Sequence, residues 1–389
     1  MSKTYFNISD KLRLYEFDGM LDQYGDAAAA YSLRKLRNGY TGDAIRVRRS
    51  SDDAERDIGF YDNELDTIAL LDWVNEEILH FDADLNDPTG WLFNGSTMGA
   101  GSIDFTNSSS TTGAYKGYGA IPYEKVRVTF TIANYVSGQI SWANYGGGAQ
   151  DAEWKTADGT YVKERVLGNG NANWGFWTQN FTGSVTEFKV EIIGSNGHVH
   201  TWYDQSANAN HAVQGTDTAQ PKIVDAGTLV VSGSKPSLKF DGVDDFYQVL
   251  SNANYSQPYT LATVFNYNAL KSFDFVLSGG AAQALGSDGS GNHRIYAGAN
   301  LLNGTTDLTQ KSHFAMYNGT ASQYSVNGNN VIGDAGTNIV FTLLIGKRGG
   351  GQTAALADAN ISEVLVYNTD ESANRENIEV SMNNHYNIY

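Results

Sequence analysis

The chain has 389 residues, enough for two or three domains, and carries a formal net charge of −17 from 26 Lys and Arg against 43 Asp and Glu. So acidic a chain lacks the clustered cations that sequence-independent nucleic-acid binding needs, and the absence of cysteine excludes disulfides and thiolate metal sites. With 42 Gly, 23 Tyr and 17 Phe, the composition favours turn-rich β-sandwiches.

The first residues, Met1–Asp10 (MSKTYFNISD), have no apolar core and do not read as a signal peptide. No run approaches the ~18 apolar residues of a membrane span. Synthesis in the cytoplasm without ordinary export is the expectation. Asp26 could cap a helix over Ala27–Arg37 (AAAAYSLRKLR), where Ala, Leu, Arg and Lys are strong formers, ended by Asn38–Gly39. Ala44–Ser50 (AIRVRRS) alternates and reads as a half-buried strand. ELDTIALLDWVNEEIL has helical spacing, with Leu65, Ile68, Leu71 and Val74 on one face.

Near Phe81–Pro88 the composition shifts to strands divided by Gly and Asn turns, including VRVTFTIANYV, GQISWANY and SVTEFKVEII. Residues 82–195 read as an inserted antiparallel sandwich of jelly-roll type. Short strands return after His198, and a helix over DESANRENIEVSMNNHY closes the chain, with Asp370 or Ser372 as cap and Ile378 and Met382 on one face. Residues 1–81 are too short and too helical for a core of their own. The simplest organisation is one discontinuous sandwich, 1–81 plus 196–389, interrupted at a loop by the insert.

Several clusters could carry chemistry. Trp202–Val213 (WYDQSANANHAV) gathers Asp204, Ser206 and His211, but sequence proximity does not make a nucleophilic triad. Its Asn-rich pattern reads as a turn organised by Asp204. His198 and His200 share one side of a strand, and two ligands do not close a metal site. Asp241, Asp244 and Asp245 in FDGVDDF offer oxygens suited to Ca²⁺, although a solvated turn is the plainer reading. Arg46, Arg48 and Arg49 face Asp52, Asp53, Glu55 and Asp57 as an internal ion-pair network. Trp142, Tyr145, Trp154, Trp174 and Trp177 lie in or beside polar, Gly-rich stretches of the insert. Such rings either pack its core or stack on sugars.

Two segments carry a resemblance. Ala27–Phe60 (AAAAYSLRKLRNGYTGDAIRVRRSSDDAERDIGF) and His200–Ala212 (HTWYDQSANANHA) resemble paired segments of tailed-phage structural proteins. They also resemble the catalytic domain of arabinofuranosidases built on a concanavalin-like sandwich. SLKFDGVDDFYQV is similar to laminin-G-like domains, and the insert resembles jelly-roll modules of virion proteins. The resemblance implies a mainly β protein, a concanavalin/laminin-G-like sandwich with flanking helices and an inserted jelly roll. The glycosidase family requires two carboxyl groups. At the corresponding stretches, Ser272–Ala282 and Leu344–Gln352, this chain shows Gly279 or Gly280 and the region Lys347–Gly349. Asp274 answers only the family's earlier Asp, while Asp288 and Asp358 lie in other contexts.

The expectation is therefore a non-enzymatic protein on the surface of a tailed-phage particle, as capsid decoration or a tail or neck spike. Its partners would be other virion proteins, copies of itself (a trimer, for example) and a host-surface glycan bound by the five aromatic residues. No cofactor is called for beyond Ca²⁺ at Asp241, Asp244 and Asp245. The rival is an arabinofuranosidase-like glycosidase acting on host polysaccharide. Without coiled-coil heptads the chain does not build a long fibre shaft.

Overall fold

The computed structural model describes residues 19–25, 27–145, 149–150, 153–169, 171–250, 255–271, 273–279, 283–340, 342–349 and 356–389, with backbone alone for 145 and 149–150. Met1–Asp10, the Asp26 cap and the Tyr145 side chain lie outside this description. Two antiparallel β units account for most of the described residues.

The larger unit draws its strands from both ends of the chain. Asp358–Tyr367 lies at the centre of one layer, paired with Tyr259–Tyr267 on one side and with Ala29–Ser32 and Leu238–Asp241 on the other. Lys311–Tyr317 and Ser322–Val326 extend that layer outward. The second ladder runs from Ile45–Arg49 through Gly197–Trp202, Ala212–Val213, Tyr247–Val249 and Leu343–Ile345 to Phe275–Gly279, Gln283–Ser287 and Asn292–Tyr296. Lys222–Asp225 bridges the ladders, so the pairings close on themselves. Tyr259–Tyr267 is buried nearly throughout because both its faces are covered. The sandwich core takes one face; on the other, Ala262, Val264, Phe314 and Leu365 meet Ile378, Met382 and Tyr386 of the terminal helix Arg375–Tyr386. That helix begins after Asn374, whose side chain makes no capping bond, and not after Asp370 or Ser372, whose contact is an Asx turn with the Ser372 N–H donating to Asp370.

Helix propensity fails at Ala27–Arg37. Ala29–Ser32 is a strand against Glu363–Val366, because distant side chains take up the segment's backbone groups. The Ala30 N–H donates to Asp204 Oδ1 at 2.8 Å, the Leu36 N–H donates to Gln205 Oε1 at 2.7 Å, and Gln205 Nε2 donates to the carbonyls of Ser32 and Arg34. A helix would forfeit all of these contacts and the sheet ladder. The second expected helix forms over Thr67–Val74, capped by Asp66. Leu70 and Val74 face the core, whereas Ile68 stands 70% exposed, so the apolar face is rotated from the one expected.

Strands between 78 and 194 form a sheet of their own. Its spine is two long strands, Lys125–Tyr145 and Asn173–Gly194. VRVTFTIANYV and GQISWANY belong to one of them; the interruption at Ser137–Gly138 is a bulge, not a turn between strands. Asn134 (φ 54°), Gly138 (φ 77°) and Asn180 (φ 48°) occupy the left-handed region where the ladder shifts register. A Cβ on Gly138 would meet the Asn180 carbonyl oxygen at 2.1 Å, so this bend requires glycine. The bend folds the sheet over its own core. Phe176 from one half packs on Phe130 and Phe188 from the other, with ring centroids 5.7 and 4.6 Å apart.

Candidate functional site

The segment Trp202–Val213 is a clamp. Asp204 accepts from the N–H groups of Ala30, Ser206 and Asn210 and from the Ser206 hydroxyl. Asn208 and Asn210 donate their side-chain amides to the carbonyls of Ala27 and Ala28. His211 Nδ1 accepts from the Asp204 N–H and is no base for Ser206. The turn expected here is thus a clamp that holds the edge strand. His198 and His200 have separate partners, the Gln220 carbonyl and Thr201. The arginine cluster is an ion-pair network: Arg46 forks to Asp57, Arg49 forks to Asp52 and also reaches Glu76, and Arg48 meets Asp53 at 2.7 Å.

Two of the five aromatic residues face inward. Trp142 and Trp174 are fully buried in the smaller unit and stack on each other at 6.2 Å. Strand alternation turns these rings inward although polar and glycine residues flank them. Trp177 is half-buried, its indole N–H without a partner, and Trp154 is half-buried as well.

Asp241, Asp244 and Asp245 do converge, with one oxygen of each within 4.8 Å of the others. Burial, then Asp241 and Asp244, push the Asp245 carboxyl up to about 8. Asp245 accepts from the Asp241 N–H, and Asp241 accepts from the N–H groups of Val243 and Asp244. The oxygens suit a hard cation, while their present work is to shape the turn.

One arrangement combines burial, charge and an absence of partners. It lies at the end of the larger unit, where that Asp turn, residues 268–271 and 273–274 and the start of Asp358–Tyr367 meet. Asp241 pairs across the ladder with Asp358. Lys271 Nζ lies 3.4 Å from the Gly242 carbonyl and 3.8 Å from the Asp358 carboxylate. Gly242 sits at φ +71°, and a Cβ there would come within 2.0 Å of Lys271 Nζ and 2.9 Å of Asp358 Cβ. Asp274 is 2% exposed. Burial pushes this carboxyl up to about 7; Lys271 and the Asp358 backbone N–H oppose the rise, and the Asp358 carboxylate adds to it. Asp274 also acts on the buried Tyr267 hydroxyl, which Ser287 faces. Further inside are two buried imidazoles: both nitrogens of His293 and Nε2 of His313 lack partners, and the rings lie 4.9 Å apart. Asp288 is otherwise engaged, accepting from Ser290 and Asn292 in its own turn.

A carboxyl titrating near neutrality beside a more exposed carboxylate is the split that acid–base chemistry uses. Sequence reading set Asp358 aside because its neighbours resemble no family stretch. The available signal was its position, an Asp opening the last long strand of the sheet.

No protein-family model and no curated protein matches the chain. Among solved structures, a GH54 α-L-arabinofuranosidase soaked with 4-nitrophenyl α-L-arabinofuranoside aligns over 91% of this chain and 62% of its own, with 11% identity and a TM-score of 0.47. An arabinofuranosidase complexed with arabinofuranosyl-α-1,2-xylobiose aligns over the same shares at 11% identity and a TM-score of 0.45. A Trypanosoma rangeli sialidase in complex with sialic acid aligns over 45% of this chain and 30% of its own, with 16% identity and a TM-score of 0.32. The chain thus spans about 62% of the length of the arabinofuranosidases. These three structures are glycosidases by name, and none is a virion protein; the expectation of a chain that is not an enzyme finds no support among them. Missing acids at the family's positions exclude acids at those positions only.

Proposed function

We propose that the chain acts on a carbohydrate, with Asp274 as proton donor and Asp358 as the ionised partner. One observation carries this reading: a buried carboxyl raised towards neutrality beside Asp358 and Lys271. Hydrolysis of a glycoside needs that division of labour. Asp274 gives its proton to the glycosidic oxygen as the bond to the anomeric carbon breaks. Water adds at that carbon, and its proton passes to Asp358. Lys271 Nζ lies 3.8 Å from the Asp358 carboxylate, on the side where the two acids meet. The sugar class is supported by the resemblance of Ala27–Phe60 and His200–Ala212 to arabinofuranosidase segments. The same two segments support a place on a tailed-phage particle, facing a host-surface glycan, as part of this proposal.

The test is turnover of 4-nitrophenyl glycosides, arabinofuranoside first, by wild type, Asp274→Asn and Asp358→Asn. Loss of about 10²-fold or more in each folded variant is expected. A wild type inert across the panel, or variants as active as wild type, would refute the assignment.

A further inference from the structure

Two guanidiniums share one ring on the ladder that runs through Phe275–Gly279 and Asn292–Tyr296. Arg294 Cζ lies 5.2 Å and Arg348 Cζ 5.0 Å from the Phe275 ring centroid. Arg294 also faces Phe273 and Tyr296, at 5.5 and 5.6 Å. Nearby, Lys347 Nζ sits 3.9 Å over Phe246. Among the described residues, no carboxylate comes within 4.0 Å of Arg294, Lys347 or Arg348. That is unusual in so acidic a chain, where the cations Arg34, Arg46, Arg48, Arg49, Arg127 and Arg375 all meet acids. The sequence offers no Asp or Glu between Asp334 and Asp358. Asp288, the acid that acts on Arg294 from a distance, is bound up in its own turn.

Arg294 is 8% exposed, and its Nε–H, wholly buried, has no acceptor. One amino group donates to Asn300 Oδ1 at 3.3 Å. Burial pulls its pKa down, and Arg348 adds to the fall. Aromatic rings compensate a cation only partly. A buried guanidinium with a free donor and a like-charged neighbour lacks an anion. Phe273, 46% exposed, offers a flat face beside it.

We propose that Arg294 and Arg348 bind the anionic group of an acidic sugar, a carboxylate or a sulfate, whose ring stacks on Phe273. The anion takes the Arg294 Nε–H and the Arg348 fork, and Lys347 adds field at the rim. The cations that face the two sites differ: Lys271 acts on Asp274, and Arg348 acts on Arg294.

Calorimetric titration of the full chain at low salt with digalacturonate, a monosulfated disaccharide, inorganic sulfate and neutral digalactoside tests this. Binding of either acidic sugar, weakened by salt and lowered about tenfold or more by Arg348→Gln with an unchanged melting temperature, is expected. Arg294→Lys, which keeps the charge and loses the fork, should also weaken it. Binding of digalacturonate alone assigns a carboxylate; binding of the sulfated sugar alone assigns a sulfate. Equal binding of the neutral sugar, binding of inorganic sulfate as tight as that of the sugars, no binding at all, or full affinity in Arg348→Gln would overturn the proposal. Turnover of the 4-nitrophenyl glycosides is read separately from this binding, so a failure here leaves the acid–base assignment standing, and the reverse also holds.

Discussion

The two β units solve the problem of an interior differently. The smaller one fills a folded sheet with rings: Trp142, Trp174, Phe130, Phe176 and Phe188 pack together, His80 lies against Trp174, and the buried Glu124 accepts from the Ser50 hydroxyl. The larger one buries Asp274, His293 and His313, and the two imidazoles face each other with nitrogens that find no partner. Groups of that kind cost stability unless something else requires them. The smaller unit is built mainly on ring packing, while the larger gathers several ionisable groups in one place.

The largest effect should come from the ring core. Trp174→Ala removes a wholly buried indole and should cost about 3–5 kcal/mol, read as the midpoint shift in urea unfolding. A loss below about 1 kcal/mol would mean that this core is not what holds the smaller unit. Next is the clamp: Asp204→Ala strands the N–H groups of Ala30, Ser206 and Asn210, and should cost about 3 kcal/mol in the same measurement.

A smaller effect depends on pH. Burial pulls His293 down to about 4 and His313 well below its usual range, so the folded state prefers both neutral. The unfolded chain takes up their protons from about pH 6.5 downward, and stability falls across that window. For His293 the loss approaches about 3 kcal/mol near pH 4. The carboxyls of Asp245 and Asp274 act the other way. Raised to about 8 and about 7, they favour the protonated folded state and lose stability as pH rises from about 4 through those values. Unfolding curves for His293→Gln should lose part of the acid-side fall and keep the alkaline-side one. An unchanged acid limb would show that the buried imidazole is not responsible.

The β-rich class, the Arg network and the Asp241–Asp245 turn were legible in the sequence, because their partners sit a few residues apart. Arg49 reaches Asp52, and Asp241 answers Val243 and Asp244. The clamp was legible only as a turn. Its target, Ala30, lies 174 residues from Asp204, and that contact is what makes a helix-forming segment a strand. Trp142 and Trp174 misled because exposure was inferred from polar neighbours, whereas alternation on a bent strand decides it. The Asp274–Asp358 pair was invisible, since only closure of the sheet brings Asp274 to the strand opening at Asp358.

The central claim is that the larger unit holds Asp274 as a proton donor at neutral pH. Its most direct test is a carbon-detected NMR titration of the Asp274 carboxyl, with Asp274→Asn identifying the resonance. A midpoint near 7 is predicted; a midpoint near the ordinary ~4 of a solvated aspartate would contradict the account.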